Sequence, residues 1–242
     1  MQSRDNYLSV AACIAGFLSL GAFRAEAQNS QRISVSKAEQ LVAGWVQAHK
    51  PHDGSAWHSR PRLKELTPPD LWERAGAQVF KQVASTSSVE GVDSYLIKAK
   101  KVYPLSTGFP GGGLGSMWVC DLNHDSKLEL VYTYSSGSGV DWSHIGVVRL
   151  DTPTPVRIET ELASMNAPLT LQRQSDQTIN VYFNPFPVSG GKSAPMDQAL
   201  RKLLLGRLVL AKKGGQETLA IQYDPSLTQE QRNRVQVVKR QL

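Results

Sequence analysis

Between two apolar stretches the chain reads Asp121-Leu122-Asn123-His124-Asp125-Ser126-Lys127-Leu128-Glu129. Oxygen-bearing side chains fall at the first, third, fifth and ninth positions of this run. Calcium is a hard cation that takes roughly six to eight oxygen ligands. A tight turn places alternate side chains on one side, so Asp121, Asn123 and Asp125 are expected to converge on one ion. Lys127 would offer its backbone carbonyl, and Glu129 would close the site directly or through water. The carboxylates of Asp121, Asp125 and Glu129 repel one another, and only Lys127 offsets them nearby. The same residues also suit an Asx-rich hairpin turn whose carboxylates cap backbone amides.

The run resembles the calcium loops of FG-GAP and VCBS-type repeats, whose pattern is D-x-[DN]-x-D-G-x-x-[DE] between strands. The resemblance covers this loop and its flanking strands only. The longer stretch 121–148 is also similar to a segment of secreted bacterial proteins. In those families the loop implies calcium-stabilised structure, often in ligand-binding or adhesive proteins, and no catalysis. Two departures matter. Ser126 stands where the pattern has Gly, and a left-handed backbone there costs on the order of 1 kcal/mol. The loop occurs once, so a propeller does not follow. An EF-hand is disfavoured, because its twelfth position is Tyr132 and not a bidentate Glu.

Other constellations are weaker. Residues 135–144 (SSGSGVDWSH) hold nucleophile, acid and base types in Ser138, Asp141 and His144, so a secreted hydrolase is the alternative reading. Two strands joined by a Gly-Ser loop explain the same residues without catalysis. His49, His52, Asp53 and His58 invite zinc, but Pro51 separates them and no cysteine supports a site. Gly111-Gly112-Gly113-Leu114-Gly115 precedes a strand-like segment and opens no helix, which argues for a turn or bulge over a phosphate loop. Gly191-Lys192-Ser193 lacks the first glycine of a Walker motif, because Phe186 occupies that position. Ser34 and Lys37 give S-x-x-K without its companion motifs.

The elements that must carry the loop follow from periodicity. Ser36 and Glu39 form a capping-box pair, and Ala38, Leu41, Val42, Trp45, Val46 and His49 recur at helical spacing, which predicts a helix over 36–49. Pro68 in a first turn, then Trp72, Ala75, Gly76, Val79, Phe80 and Val83, predict a second over 68–83. From Tyr95 the period shifts to two. Strands are expected at 95–99, 117–122, 128–134, 145–150, 156–162, 169–173, 179–183, 205–211 and 218–223. Gly214-Gly215 marks a hairpin. A short helix is expected at 197–204, and Thr228 with Gln231 opens a final one. The expected class is α+β: two N-terminal amphipathic helices, then a mostly antiparallel β-sheet and a short C-terminal helix.

The N-terminus sets the compartment. Arg4 lies in a short polar start, Tyr7 to Phe23 carries no charge, and Ala25-Glu26-Ala27 fits the small-x-small rule. This reads as a signal peptide over 1–27, which leaves 28–242 as one α+β domain. The expected location is secreted or periplasmic, with no membrane span after cleavage. A lipobox reading of Val10–Cys13 fails because the long apolar run follows the cysteine. Cys13 leaves with the signal, so Cys120 is the one mature cysteine and no intramolecular disulfide forms. The chain's net charge is +6, and it is concentrated in residues 201–242. A basic end suits an anionic envelope component as partner. Nucleic acid is not expected, for want of any recognisable nucleic-acid module.

Overall fold

A computed structural model describes residues 31–49, 61–83, 93–106, 113–136, 142–152, 154–158, 163–165, 168–183, 202–229 and 232. More than half of these are strand, arranged in three antiparallel sheets. Two helices occur among them, α1 (Val35–His49) and α2 (Pro69–Ala75). This corrects the α+β expectation. Among the described residues one amphipathic helix precedes the strands, a second, short helix lies between the first two strands, and the remainder is mainly β.

The first sheet runs β1 (Leu63–Glu65), β2 (Ala77–Gln82), β3 (Ser94–Lys98) and β4 (Lys101–Ser106), in that spatial order. The second runs β5 (Gly113–Cys120), β6 (Glu129–Ser136), β7 (Trp142–Arg149) and β8 (Val156–Ile158), and β9 (Ala163–Met165) also pairs with β7. The third runs β10 (Leu169–Arg173), β11 (Ile179–Phe183), β12 (Leu203–Lys213) and β13 (Gln216–Tyr223). Within each sheet the strands pair in sequence order, except that β9 returns to β7 rather than pairing with β8.

Alternation along the strands stacks the layers. On one face of the first sheet Phe80, Tyr95 and Ile97 meet Ala38, Val42 and Val46 of α1. On the other face Ala77, Val79, Leu96 and Leu105 meet Val119, Leu130, Tyr132 and Val148 of the second sheet. The opposite face of the second sheet, through Cys120, Val131, Ile145 and Val147, packs on Leu169, Leu171, Val181, Leu205, Leu208 and Ile221 of the third. The second sheet is therefore buried on both faces. Its side chains also serve the edge strand β10. Ser143 Oγ accepts the Leu169 N–H at 2.9 Å, Ser116 Oγ accepts the Leu171 N–H at 3.0 Å, and Trp118 Nε1 donates to the Leu171 carbonyl at 3.0 Å. A bare sheet edge would leave those groups unpaired.

The second expected helix ends at Ala75. Gly76 follows in the left-handed conformation (φ 59°) and its N–H closes on the Trp72 carbonyl, a stop that glycine allows without steric cost. Val79 and Phe80 then lie on opposite faces of β2, which pairs with β1 and β3. Their helical spacing from Trp72 reflects a strand covered on both sides, whose apolar residues need no alternation. α1 starts one residue earlier than expected. The Ser34 hydroxyl caps the Lys37 N–H, and Glu39 reaches across to the Leu63 N–H. Leu203 and Leu204 belong to β12 and not to a helix. The rest of 197–204 lies outside the described residues, as does most of the expected final helix. There the Arg232 N–H bonds the Thr228 carbonyl. The hairpin at Gly214-Gly215 holds, with both φ angles positive (60° and 85°) and Lys213 paired with Gln216.

Candidate functional site

The 121–128 loop joins β5 to β6, whose ends pair at Cys120 and Glu129. Its backbone curls through left-handed residues at His124 (φ 57°) and Ser126 (φ 66°), so the position expected to favour glycine does carry a positive φ. The Asp121 carboxylate accepts the N–H of Asp125 at 3.0 Å and of Ser126 at 2.8 Å. Asn123 lies against Asp125, with Nδ2 3.2 Å from Oδ2. Asp125 Oδ1 accepts the Lys127 N–H at 3.0 Å. Asp121, Asn123 and Asp125 thus gather on one side of the curl while capping its amides. The Lys127 ammonium stands 3.9 Å from Asp125 Oδ2.

Glu129 lies beneath this curl and is fully buried. Its Oε2 accepts the Leu122 N–H at 3.0 Å. Its Oε1 has no hydrogen-bond partner, and neither does Arg149 Nε, 3.5 Å away. Arg149 sits opposite Glu129 in the β6–β7 register. The same guanidinium reaches Asp125 Oδ2 at 3.3 Å and, on β13 of the third sheet, Glu217 Oε2 at 2.8 Å. Asn123 Nδ2 also approaches Glu217 Oε1 at 3.4 Å.

The electrostatics follow from this crowding. Burial pushes the Glu129 carboxyl up to about 7; the Leu122 N–H and Arg149 pull against it, and Asp125 and Asp121 reinforce it. For Asp125, burial also acts upward. The Lys127 N–H, the Asn123 amide and Arg149 outweigh it and hold the carboxyl below its usual range. Burial opposes the charge on Arg149, but Glu217, Asp125 and Glu129 more than restore it.

All the loop donors are hard oxygens, which suits calcium. Several are already engaged with backbone amides, and Asp125 and Glu129 share Arg149. Among the described residues no three His, Cys, Asp or Glu side chains are grouped as a ready metal cage. A cation here would have to recruit Asn123 and draw Asp125 and Glu129 away from the guanidinium. Sequence reasoning missed Arg149 and Glu217. Arg149 had a signal, because the β6–β7 hairpin places it across from Glu129 as an opposite-charge pair. Glu217 had none.

No family model matches the chain, and no curated protein or solved structure matches it. The local geometry therefore carries the functional argument alone.

Other expected centres resolve differently. The His144 ring stacks on Tyr134 at 4.8 Å, and Ser143 is committed to the Leu169 amide. Ser138 and Asp141 lie outside the described residues. His49 stacks on Trp45 at 4.7 Å, with Nδ1 2.9 Å from the Trp45 carbonyl, while His52, Asp53 and His58 lie outside the described residues. Cys120 is buried in the core, which pushes its thiol up to about 12. Among the described residues no helix is long and apolar enough to cross a membrane. Asp121 and His124 border a shallow cleft of about 200 Å³ with Gln177, Thr178, Arg207 and Gln222. That is smaller than the roughly 300–1,000 Å³ of pockets that bury a drug-sized ligand.

Proposed function

We propose that this chain is an exported, non-enzymatic binding domain whose 121–129 loop takes calcium as a structural ion. The observation that supports it is the convergence of Asp121, Asn123 and Asp125 above the buried Glu129, whose Oε1 makes no hydrogen bond and has only the Arg149 guanidinium, 3.5 Å away, beside it. A buried oxygen left without a hydrogen bond is rare, and an ion is one partner that would satisfy it. Lys127 contributes its carbonyl in this reading. The export signal is the apolar run from Tyr7 to Phe23 with Ala25-Glu26-Ala27, and the mature chain begins at Gln28. The exposed Lys202, Arg207 and Lys212 on or beside β12 favour an anionic envelope component as the binding partner.

Thermal melting with calcium, with magnesium and with chelator tests the ion. Calcium at 100 times its dissociation constant should add about 2.7 kcal/mol. A dissociation constant of roughly 10⁻⁴ to 10⁻³ M, the range of extracellular modules, is expected. Asp125→Ala should abolish the calcium effect. Identical melting temperatures in all three solutions would leave the loop as a polar turn.

A further inference from the structure

We propose that the cleft between the 121–124 turn and the third sheet holds one sugar unit of an uncharged glycan, through Arg207, Gln222, Gln177 and His124. The inference rests on the binding-domain reading above and names a ligand for it, but neither calcium nor the charge of Lys202 and Lys212 enters it.

Four elements meet at the cleft. His124 comes from the β5–β6 loop, Gln177 from the β10–β11 turn, Arg207 from β12 and Gln222 from β13. Arg207 and Gln222 are cross-strand partners, so their side chains stand side by side on one face. The turn that carries Gln177 is closed by two backbone hydrogen bonds. The Gln174 N–H donates to the Thr178 carbonyl at 2.8 Å, and the Gln177 N–H to the Gln174 carbonyl at 3.1 Å. The loop that carries His124 is held by the Asp121 carboxylate. The rim is therefore set before a ligand arrives, which spares the entropy of ordering it.

Hydrogen bonding separates these side chains from their neighbours. Asp121 is committed to two loop amides, and Asp176 to the Thr178 N–H and hydroxyl at 3.1 and 2.6 Å. His124, Gln177 and Gln222 make no side-chain hydrogen bond to any described residue, and Arg207 comes no nearer to a carboxylate than 4.0 Å, at Asp176. One imidazole, two amides and one guanidinium are thus available, and together they both donate and accept. Between them lie Leu208, buried, and Leu122 and Val209, half-buried. Small-molecule sites combine such an apolar floor with a few convergent polar groups.

The surroundings select the ligand. Arg207 shares the cleft with Asp121 and has Asp176 beside it, so its charge is offset and an anion gains little. An extended peptide needs unpaired strand groups, whereas β12 is paired on both sides at Arg207, with Asn180 and with Gln222. The volume of about 200 Å³ equals that of roughly seven waters in the liquid, room for one ring and not for a chain. An uncharged ring with hydroxyls around its rim and C–H groups on its face meets all three conditions.

NMR titration of the labelled protein is the test, with neutral oligosaccharides of glucose and of N-acetylglucosamine, a polyuronate and inorganic phosphate as probes. A neutral oligosaccharide should shift the His124 ring and the side-chain amides of Gln177 and Gln222, with a dissociation constant on the order of 1 mM for one bound unit. Arg207→Met and Gln222→Ala, at exposed positions where folding is not at stake, should each weaken that binding by about tenfold. Lys212→Gln should leave it unchanged. If phosphate or the polyuronate shifts the same residues more strongly than any neutral sugar, the cleft is an anion site and the proposal is overturned. Shifts confined to the neighbourhood of Lys202 and Lys212, with the polyuronate alone, overturn it while the binding-domain reading survives. No shift anywhere with any probe, at about ten times the expected dissociation constant, overturns both.

Discussion

Tyr132 lays its ring across Gly146, its cross-strand partner in the second sheet, so closely that a Cβ at 146 would come within 2.3 Å of the ring. The Tyr132 hydroxyl continues past it and donates to the Leu105 carbonyl of β4 at 2.9 Å. A missing side chain on one strand thus makes room for a ring that ties the first two sheets together. Gly146→Ala should destabilise the protein by about 1–3 kcal/mol through overpacking. Tyr132→Phe should cost about 1–3 kcal/mol by leaving a buried carbonyl unpaired. Urea denaturation checks both, and a neutral Gly146→Ala would mean that the ring is not pinned.

The two large aromatics between α1 and the first sheet should differ. Phe80 is fully buried, whereas Trp45 is only partly so. Phe80→Ala should cost about 3–5 kcal/mol, and Trp45→Ala distinctly less. Denaturant midpoints for the two variants decide the order, and a larger loss at Trp45 would contradict this packing.

Ser126 holds a left-handed backbone without being glycine. Ser126→Gly should therefore stabilise the fold by about 1 kcal/mol, even in chelator, by relieving the Cβ conflict. The same substitution should tighten calcium binding, because the curl is then held at lower cost. A melting temperature unchanged or lowered in chelator would show that the serine side chain compensates for its own strain.

Glu129 should leave a signature in the pH dependence of stability. In the folded protein it keeps its proton up to about pH 7, against an ordinary 4.5. Between those values the folded state binds more protons than the unfolded state, so stability falls as pH rises. The contribution is fully present below 4.5 and is lost through about 7. Glu129→Gln, which mimics the neutral form, should flatten this slope. Chemical denaturation of both proteins from pH 4 to 8 in chelator is the measurement, and parallel curves would rule out the shift.

Much of the β structure was legible from the sequence. Leu169–Arg173 and Ile179–Phe183 alternate apolar and polar residues because one face of the third sheet packs on the second. The paired glycines at 214 and 215 specify their turn through positive φ alone. β2 was not legible. Its residues are covered by α1 on one face and the second sheet on the other, so no alternation marks it. β1 and β9 are three residues long, too short for any period to show. At the site, Asp121 through Glu129 announced themselves by local spacing. Glu217 is 94 residues from Asn123, and only the docking of the third sheet on the second brings them together.

The sheet buried on both faces also constrains how the chain reaches its final state. Most pairings run between sequence neighbours, and the tight ones, β3–β4 and β12–β13, close over two residues and so are expected to form early. The middle sheet nevertheless has two apolar sides to cover, and the strands that cover the second side are synthesised after it. Until β10 to β13 dock, Val131, Ile145 and Val147 face water beside the open edge of β5. Such an intermediate is prone to self-association. A chain cut after β9 should keep its hairpins and lose its solubility, which makes the C-terminal sheet a built-in chaperone for the one before it.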